Sequence, residues 1–378
     1  MTYQLLAGGY RDTVTLFSFE ASPSKIKVIS DSPAPQNASW LEPSTQSTDA
    51  GRVVYSLSED EKEGKGLSLI VKGDKVEVTA ERMTNGAPAH VHLLKDGSGV
   101  IVANYVGGSA IYFPLDPSGA LSKSSDSPNL VFPYPYKDTK APNPDRQEAS
   151  HIHHVVESKD GKFYVADLGS DRVWVVVREG ESGLDIKGWL QAPAGAGPRH
   201  LALSPDEKHL YCLTELSHEV LIFSLSDSLP AHPKPDFKVS IIPPNVPSTH
   251  SKLMDSAEIQ LNSAFPNVIY ASNRLELHIH DDDSQKDLPK LDNPSKGDAV
   301  AVILLGEDGT TVESVKHVRT EADGIRAMKV SKDGKYVALA GQQGGGVEIW
   351  AVGGKRGDEW KLAAKEESIK QVTDIIWL

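Results

Sequence analysis

The stretch Asp160-Gly161-Lys162-Phe163-Tyr164-Val165-Ala166-Asp167-Leu168 reads as a tight turn followed by a strand. Asp-Gly supplies the positive φ that such a turn needs, and the Phe-Tyr-Val run that follows has the aromatic and β-branched bias of a pleated, half-buried surface. The same turn-then-strand signature recurs in His209-Leu210-Tyr211-Cys212-Leu213-Thr214-Glu215-Leu216, Val268-Ile269-Tyr270-Ala271-Ser272-Asn273-Arg274 and Lys335-Tyr336-Val337-Ala338-Leu339-Ala340-Gly341. Its turns are expected at Asp49-Ala50-Gly51, Asp96-Gly97, Asp160-Gly161, Asp206-Glu207, Phe265-Pro266-Asn267 and Asp333-Gly334. That spacing is one propeller blade of about 40 to 45 residues plus loop insertions.

Six units are whole, and an N-terminal seventh lacks its first strand. Leu5-Leu6-Ala7-Gly8-Gly9 and the run from Thr13 to Phe19 match second and third strands, and Val372-Thr373-Asp374-Ile375-Ile376-Trp377-Leu378 can supply the first. The predicted fold is all-β: a seven-bladed propeller over residues 1–378, one domain, closed by pairing of its N- and C-terminal strands, which leaves only short sheet edges. No long segment keeps a 3.6-residue apolar period, although Lys361 to Val372 could form a helical turn or two. Three Pro-, Ser- or charge-rich insertions, Ser122 to Ala149, Ser226 to Asp255 and Asp281 to Gly297, are expected as rim loops.

The chain's 378 residues carry 39% hydrophobic and 24% charged side chains, a globular composition. With 39 Lys and Arg against 52 Asp and Glu and no dense basic cluster, neither nucleic acid nor an anionic membrane is expected as a partner. A single cysteine, Cys212, and an N-terminal stretch without a basic-then-apolar leader pattern lead to the expectation of a cytoplasmic protein. The longest apolar run, Ala299 to Leu305, is too short to cross a bilayer. Nothing in the chain sets an oligomeric state.

Three units carry titratable residues where others do not. Arg146-Gln147-Glu148-Ala149-Ser150-His151-Ile152-His153-His154 opens an inner strand, and period-2 alternation predicts His151 and His153 on one face with Ile152 and His154 on the other. Gly197-Pro198-Arg199-His200 opens the next inner strand, Glu215 ends the strand after it, and Arg274 ends the matching strand of the sixth unit. Two arginine forks suit a carboxylate or phosphate, and a His with a Glu offers proton transfer. His90-Val91-His92 and His278-Ile279-His280-Asp281-Asp282-Asp283 hold metal-ligand residue types, but no third ligand is placed by spacing, so neither metal nor cofactor is expected. Dinucleotide, Walker, zincin and GxSxG motifs do not occur.

Taken together, Gly86-Ala87-Pro88-Ala89-His90-Val91, Ala103 to Ser109, Arg146-Gln147 with His151-Ile152-His153, Ala166 to Val173, Gly197-Pro198-Arg199-His200-Leu201 and Ala271-Ser272-Asn273-Arg274 resemble the seven-bladed propeller lactonases, a family with bacterial 6-phosphogluconolactonases and the fungal 3-carboxy-cis,cis-muconate lactonizing enzyme. The resemblance spans nearly the whole chain. It implies a metal-free site at the channel mouth with His153, Arg199, Glu215 and Arg274 on the family's active-site positions, and His151, His90, Asn273 and Arg326 at the substrate. Ile241 to Pro247 looks like the fungal branch, whereas the HxH pair looks like the bacterial one. The seventh unit departs from the pattern at Gly324-Ile325-Arg326-Ala327-Met328. The expected activity is hydrolysis of an anionic sugar-acid lactone. The alternatives are cyclisation of a carboxymuconate and a noncatalytic scaffold that binds a protein on its rim.

Overall fold

A computed structural model describes residues 1–48, 51–123, 127–181, 183–225, 232–281, 287–289 and 294–378. Among these residues the chain forms seven four-stranded antiparallel sheets, one per blade. Blades 2 to 7 are continuous (41–83, 88–131, 152–191, 198–240, 255–319 and 323–366), and blade 1 joins 2–33 to 372–377. Val372–Trp377 is the innermost strand of blade 1, antiparallel to Thr2–Gly9 with Leu6 opposite Ile376 and Leu5 opposite Trp377. The expected closure is thus present. The inner strands touch one another in sequence around the ring, and no helix among the described residues is long and apolar enough to cross a membrane.

Each blade is apolar on both faces because both faces are covered, and the core accordingly divides into layers between neighbouring blades. Ile101 and Tyr112 of blade 3, with Phe132 directly after it, pack on Phe163, Val165 and Trp174 of blade 4. The layer between blades 7 and 1 sets Ala338, Val347 and Ile349 against Leu5, Phe17, Ile375 and Trp377, so the C-terminal strand is held by packing as well as by its ladder.

Two local expectations are corrected. The turn assigned to Phe265-Pro266-Asn267 lies at Ser263-Ala264, because the Asn262 carboxamide oxygen accepts the Ala264 N–H at 2.9 Å and closes the chain there, freeing Phe265–Arg274 to run as one strand. The segment from Lys361, expected as possible helical turns, belongs to strand Glu359–Glu366, whose ladder to Val347–Gly353 outweighs a weak helical pattern. The turn at Asp49-Ala50 and parts of the three insertions lie outside the described residues.

The inner strands share an irregularity that sequence alternation does not reveal. In blade 4 Ile152 faces Asp167, but His154 faces Ala166, so His153 is an extra residue. The same slip makes Ala89 extra in blade 3, Arg199 in blade 5 and Arg326 in blade 7. A β-bulge opposes two residues to one, bends the strand and re-aims a side chain. Here the device is repeated at one level of the ring.

Candidate active site

The four bulge residues Ala89, His153, Arg199 and Arg326 all line a cavity of about 300 Å³, where Tyr10, Glu59, Tyr105, Arg146, Glu215, Asp255 and Arg274 join them. Every blade contributes. Of the residues expected to be catalytic, His153, Arg199, Glu215 and Arg274 are all brought together, and Arg326 stands with them. His151, His90 and Asn273 do not line the cavity. His151 stacks on Tyr105 at 4.4 Å and places Nδ1 3.1 Å from the Tyr105 carbonyl oxygen. Asn273 donates to the Ile241 carbonyl at 2.7 Å, and His90 lies one level deeper, against Trp40 and His154.

Glu215 is the hub. Its carboxylate accepts from Arg199 Nε at 2.6 Å, lies 3.0 Å from Arg274 Nη2 and accepts from Arg146 Nη2. Burial favours its neutral form, but the combined field of Arg274, Arg199 and Arg146 prevails and holds the group well below the usual carboxylate range. Asp255, 3.3 Å from Arg274, shifts the other way, raised by burial and by repulsion from Glu215. Glu215 is therefore a permanent anion that organises three guanidinium groups, and a poor proton acceptor. Burial lowers Arg199 only to about 10, so it stays charged at neutral pH.

With Glu215 tied up by three arginines, His153 is the group left in the cavity to move a proton. It is 6% exposed, and burial, reinforced by Arg199, pushes its pKa well below the ordinary imidazole value, so the ring is neutral at pH 7. Its Nδ1 has no hydrogen-bond partner among the described residues. A second group forms around Arg326, which donates to the Tyr10 hydroxyl at 2.5 Å while that hydroxyl donates to Glu59 at 2.8 Å.

The period-2 reading of the histidine segment needs correction at His154. Because His153 is a bulge residue, His154 does not point away from the channel: its ring lies 4.0 Å from that of His90 and 4.5 Å from that of His200.

Arg146, Asp255, Tyr10, Glu59 and Tyr105 escaped sequence reasoning. Arg146 comes from a loop pinned by its neighbour: the buried Gln147 amide donates to the Leu168 carbonyl at 2.9 Å and to Asp171 at 2.8 Å. The Arg-Gln pair was a usable signal, and Asp255 stands across the ladder from Arg274. Tyr10 and Glu59 come from the first two blades, where no motif marks them.

Among the described residues no three His, Cys, Asp or Glu side chains are grouped to hold a metal ion. His278 is instead flanked by Asp281 at 2.5 Å and Asp323 at 2.8 Å, while Asp282 and Asp283 lie outside the described residues.

A sequence model of the lactonase family described as a seven-bladed β-propeller matches residues 4–376. A 6-phosphogluconolactonase of Bacillus subtilis is 30% identical over 226 residues, which cover 56% of this chain and 61% of that protein. Another 6-phosphogluconolactonase, from Formosa agariphila, is 21% identical over 89% of this chain and 87% of its own. Among solved structures, the periplasmic gluconolactonase of Pseudomonas aeruginosa superposes with a TM-score of 0.78 at 19% identity, covering 100% of this chain and 98% of that one, a likeness of fold. With a family match from the first blade to the closing strand, the chain belongs to the seven-bladed β-propeller lactonases.

Proposed function

We propose that the chain hydrolyses the lactone of an anionic sugar acid, with 6-phosphogluconolactone as the type substrate. The observation that carries this reading is the convergence of Arg146, Arg199, Arg274 and Arg326 with a neutral His153 on one cavity where, among the described residues, three carboxylates, Glu59, Glu215 and Asp255, face them. The excess positive charge suits an anionic substrate, and arginine forks match phosphate and carboxylate geometry.

In this mechanism His153 takes a proton from water as the water oxygen attacks the ring carbonyl. Arg199 and Arg274 hold the oxyanion of the tetrahedral intermediate. The carbon to ring-oxygen bond then breaks, and the proton on His153 passes to the departing oxygen to give the open hydroxy acid. Glu215 keeps the arginines apart and aligned. A cytoplasmic location belongs to the same proposal, supported by the buried, unpaired Cys212.

The test is acid release from 6-phosphogluconolactone and glucono-1,5-lactone at pH 7, alongside ultraviolet absorbance of 3-carboxy-cis,cis-muconate. Faster acid release from the phosphorylated lactone is expected. Loss of muconate absorbance without lactone hydrolysis would assign the site to a cycloisomerase, and no turnover of any of the three would leave a noncatalytic scaffold.

A further inference from the structure

Below the cavity, the residue after each of three bulges turns into the channel. The rings of His90, His154 and His200 form a buried cluster of tilted rings there, against Trp40. The hydrolysis above uses none of them. His200 is distinct in having a charged side chain within 3.1 Å of each ring nitrogen: Nε2 lies 3.1 Å from Arg199 Nη1, and Nδ1 lies 2.9 Å from Glu258 Oε1. His200 and Glu258 are 2% and 1% exposed.

The order of donors settles the tautomer. A guanidinium can only donate, so Nε2 of His200 must accept from Arg199, and the ring proton must sit on Nδ1, facing Glu258. Nδ1 and Glu258 Oε1 are both buried and neither has an aligned hydrogen bond to any group among the described residues, so their 2.9 Å approach is a close contact that a small turn of either side chain would align. Arg199 spends Nε on Glu215 and Nη1 on His200 and the Ala257 carbonyl. Three acceptors thus grip the guanidinium from behind and leave Nη2 for the cavity.

We propose that Glu258 and His200 are positioning residues: Glu258 holds His200 in the Nδ1–H tautomer, and the free Nε2 lone pair fixes the Arg199 fork at the substrate. This rests on the oxyanion-holding role given to Arg199. Burial and Arg199 lower the pKa of His200 well below its ordinary value, which keeps the lone pair available, and burial raises Glu258 to about 7. Lys329, Asp374, Arg199 and Gln260 are the other groups that act on Glu258, and Lys329 favours its ionised form. Were His200 protonated, Nε2 would become a donor facing another donor, and Arg199 would lose its grip.

The test uses the full chain at pH 8 with two variants of the ring. A glutamine can place its amide oxygen near the position of Nε2, whereas leucine offers volume without an acceptor. His200→Leu should lower kcat for 6-phosphogluconolactone about tenfold with KM changed less, while His200→Gln should restore most of the turnover. Equal losses in the two variants, or wild-type values in a folded His200→Leu, would overturn the proposal. A third readout needs no turnover. In protein labelled with ¹⁵N histidine, the His200 signal, identified by its loss in His200→Gln, should show the Nδ1–H tautomer in the wild type, and its Nδ1 proton should move upfield in Glu258→Gln, where the charged acceptor is lost; an unmoved proton would remove Glu258 from the dyad. An Nε2–H tautomer in the wild type would overturn the dyad even if the substrate were something other than a lactone.

Discussion

Arg199 Nε lies 2.6 Å from Glu215 Oε2, with both side chains 2% exposed, and Arg146 and Arg274 close on the same carboxylate. Removing one member of a buried ionic group leaves charge uncompensated, at a cost of about 3–5 kcal/mol. Glu215→Gln should therefore lose stability on that scale in urea unfolding, and added phosphate should restore part of it by taking the place of the missing anion. Unchanged stability would mean that the arginines do not depend on Glu215.

His153 is proposed as the base, and general base catalysis is worth about 10² to 10⁴ in rate. His153→Ala should lose kcat in that range with a small change in KM. Since its pKa in the folded protein lies well below the ordinary 6.5, turnover should stay level as the pH falls from 8 through 6.5 and decline only at lower pH. An acid limb centred at 6.5 or higher in a pH–rate profile would exclude His153 in this role.

Burial likewise holds the deeper His90 and His154 neutral, with pKa values well below 6.5. As the pH drops below 6.5 the unfolded chain binds protons there that the folded chain refuses, so these residues lower stability progressively with acid, by up to about 1.4 kcal/mol per pH unit for each. The double variant His90→Gln, His154→Gln should show a flatter decline of stability from pH 6.5 to 6 than the parent in denaturant titrations. A parallel decline would show that neither ring is held neutral.

Ring closure rests on Val372–Trp377. Deleting residues 372–378 removes the inner strand of blade 1, takes Ile375 and Trp377 out of the layer against blade 7 and leaves Thr2–Gly9 with an unpaired edge. Such an edge is a template for association between chains. The truncated chain should partition into aggregates, read by soluble yield and light scattering, and a soluble product with unchanged melting would contradict closure by this strand.

What the sequence alone determined was everything that depends on local pattern. Strands alternate in short aromatic and β-branched runs, Asp-Gly turns recur at blade spacing, and a missing first strand at one end finds its counterpart at the other. The identities of His153, Arg199, Glu215 and Arg274 were legible for the same reason, as chemically distinct residues at equivalent points of a repeat. Tertiary structure decided how those residues are arranged. Strict alternation put His154 on the wrong side because a bulge depends on how a strand meets its partner across the ladder and leaves no period in the chain itself. Glu215 read as a candidate base until three guanidinium groups from blades 5 and 6 and the loop before blade 4 were found around it, and that field is set by distances between segments far apart in sequence. Tyr10 and Glu59 join the site only because the ring closes, which brings Tyr10 and Arg326, 316 positions apart, to one cavity.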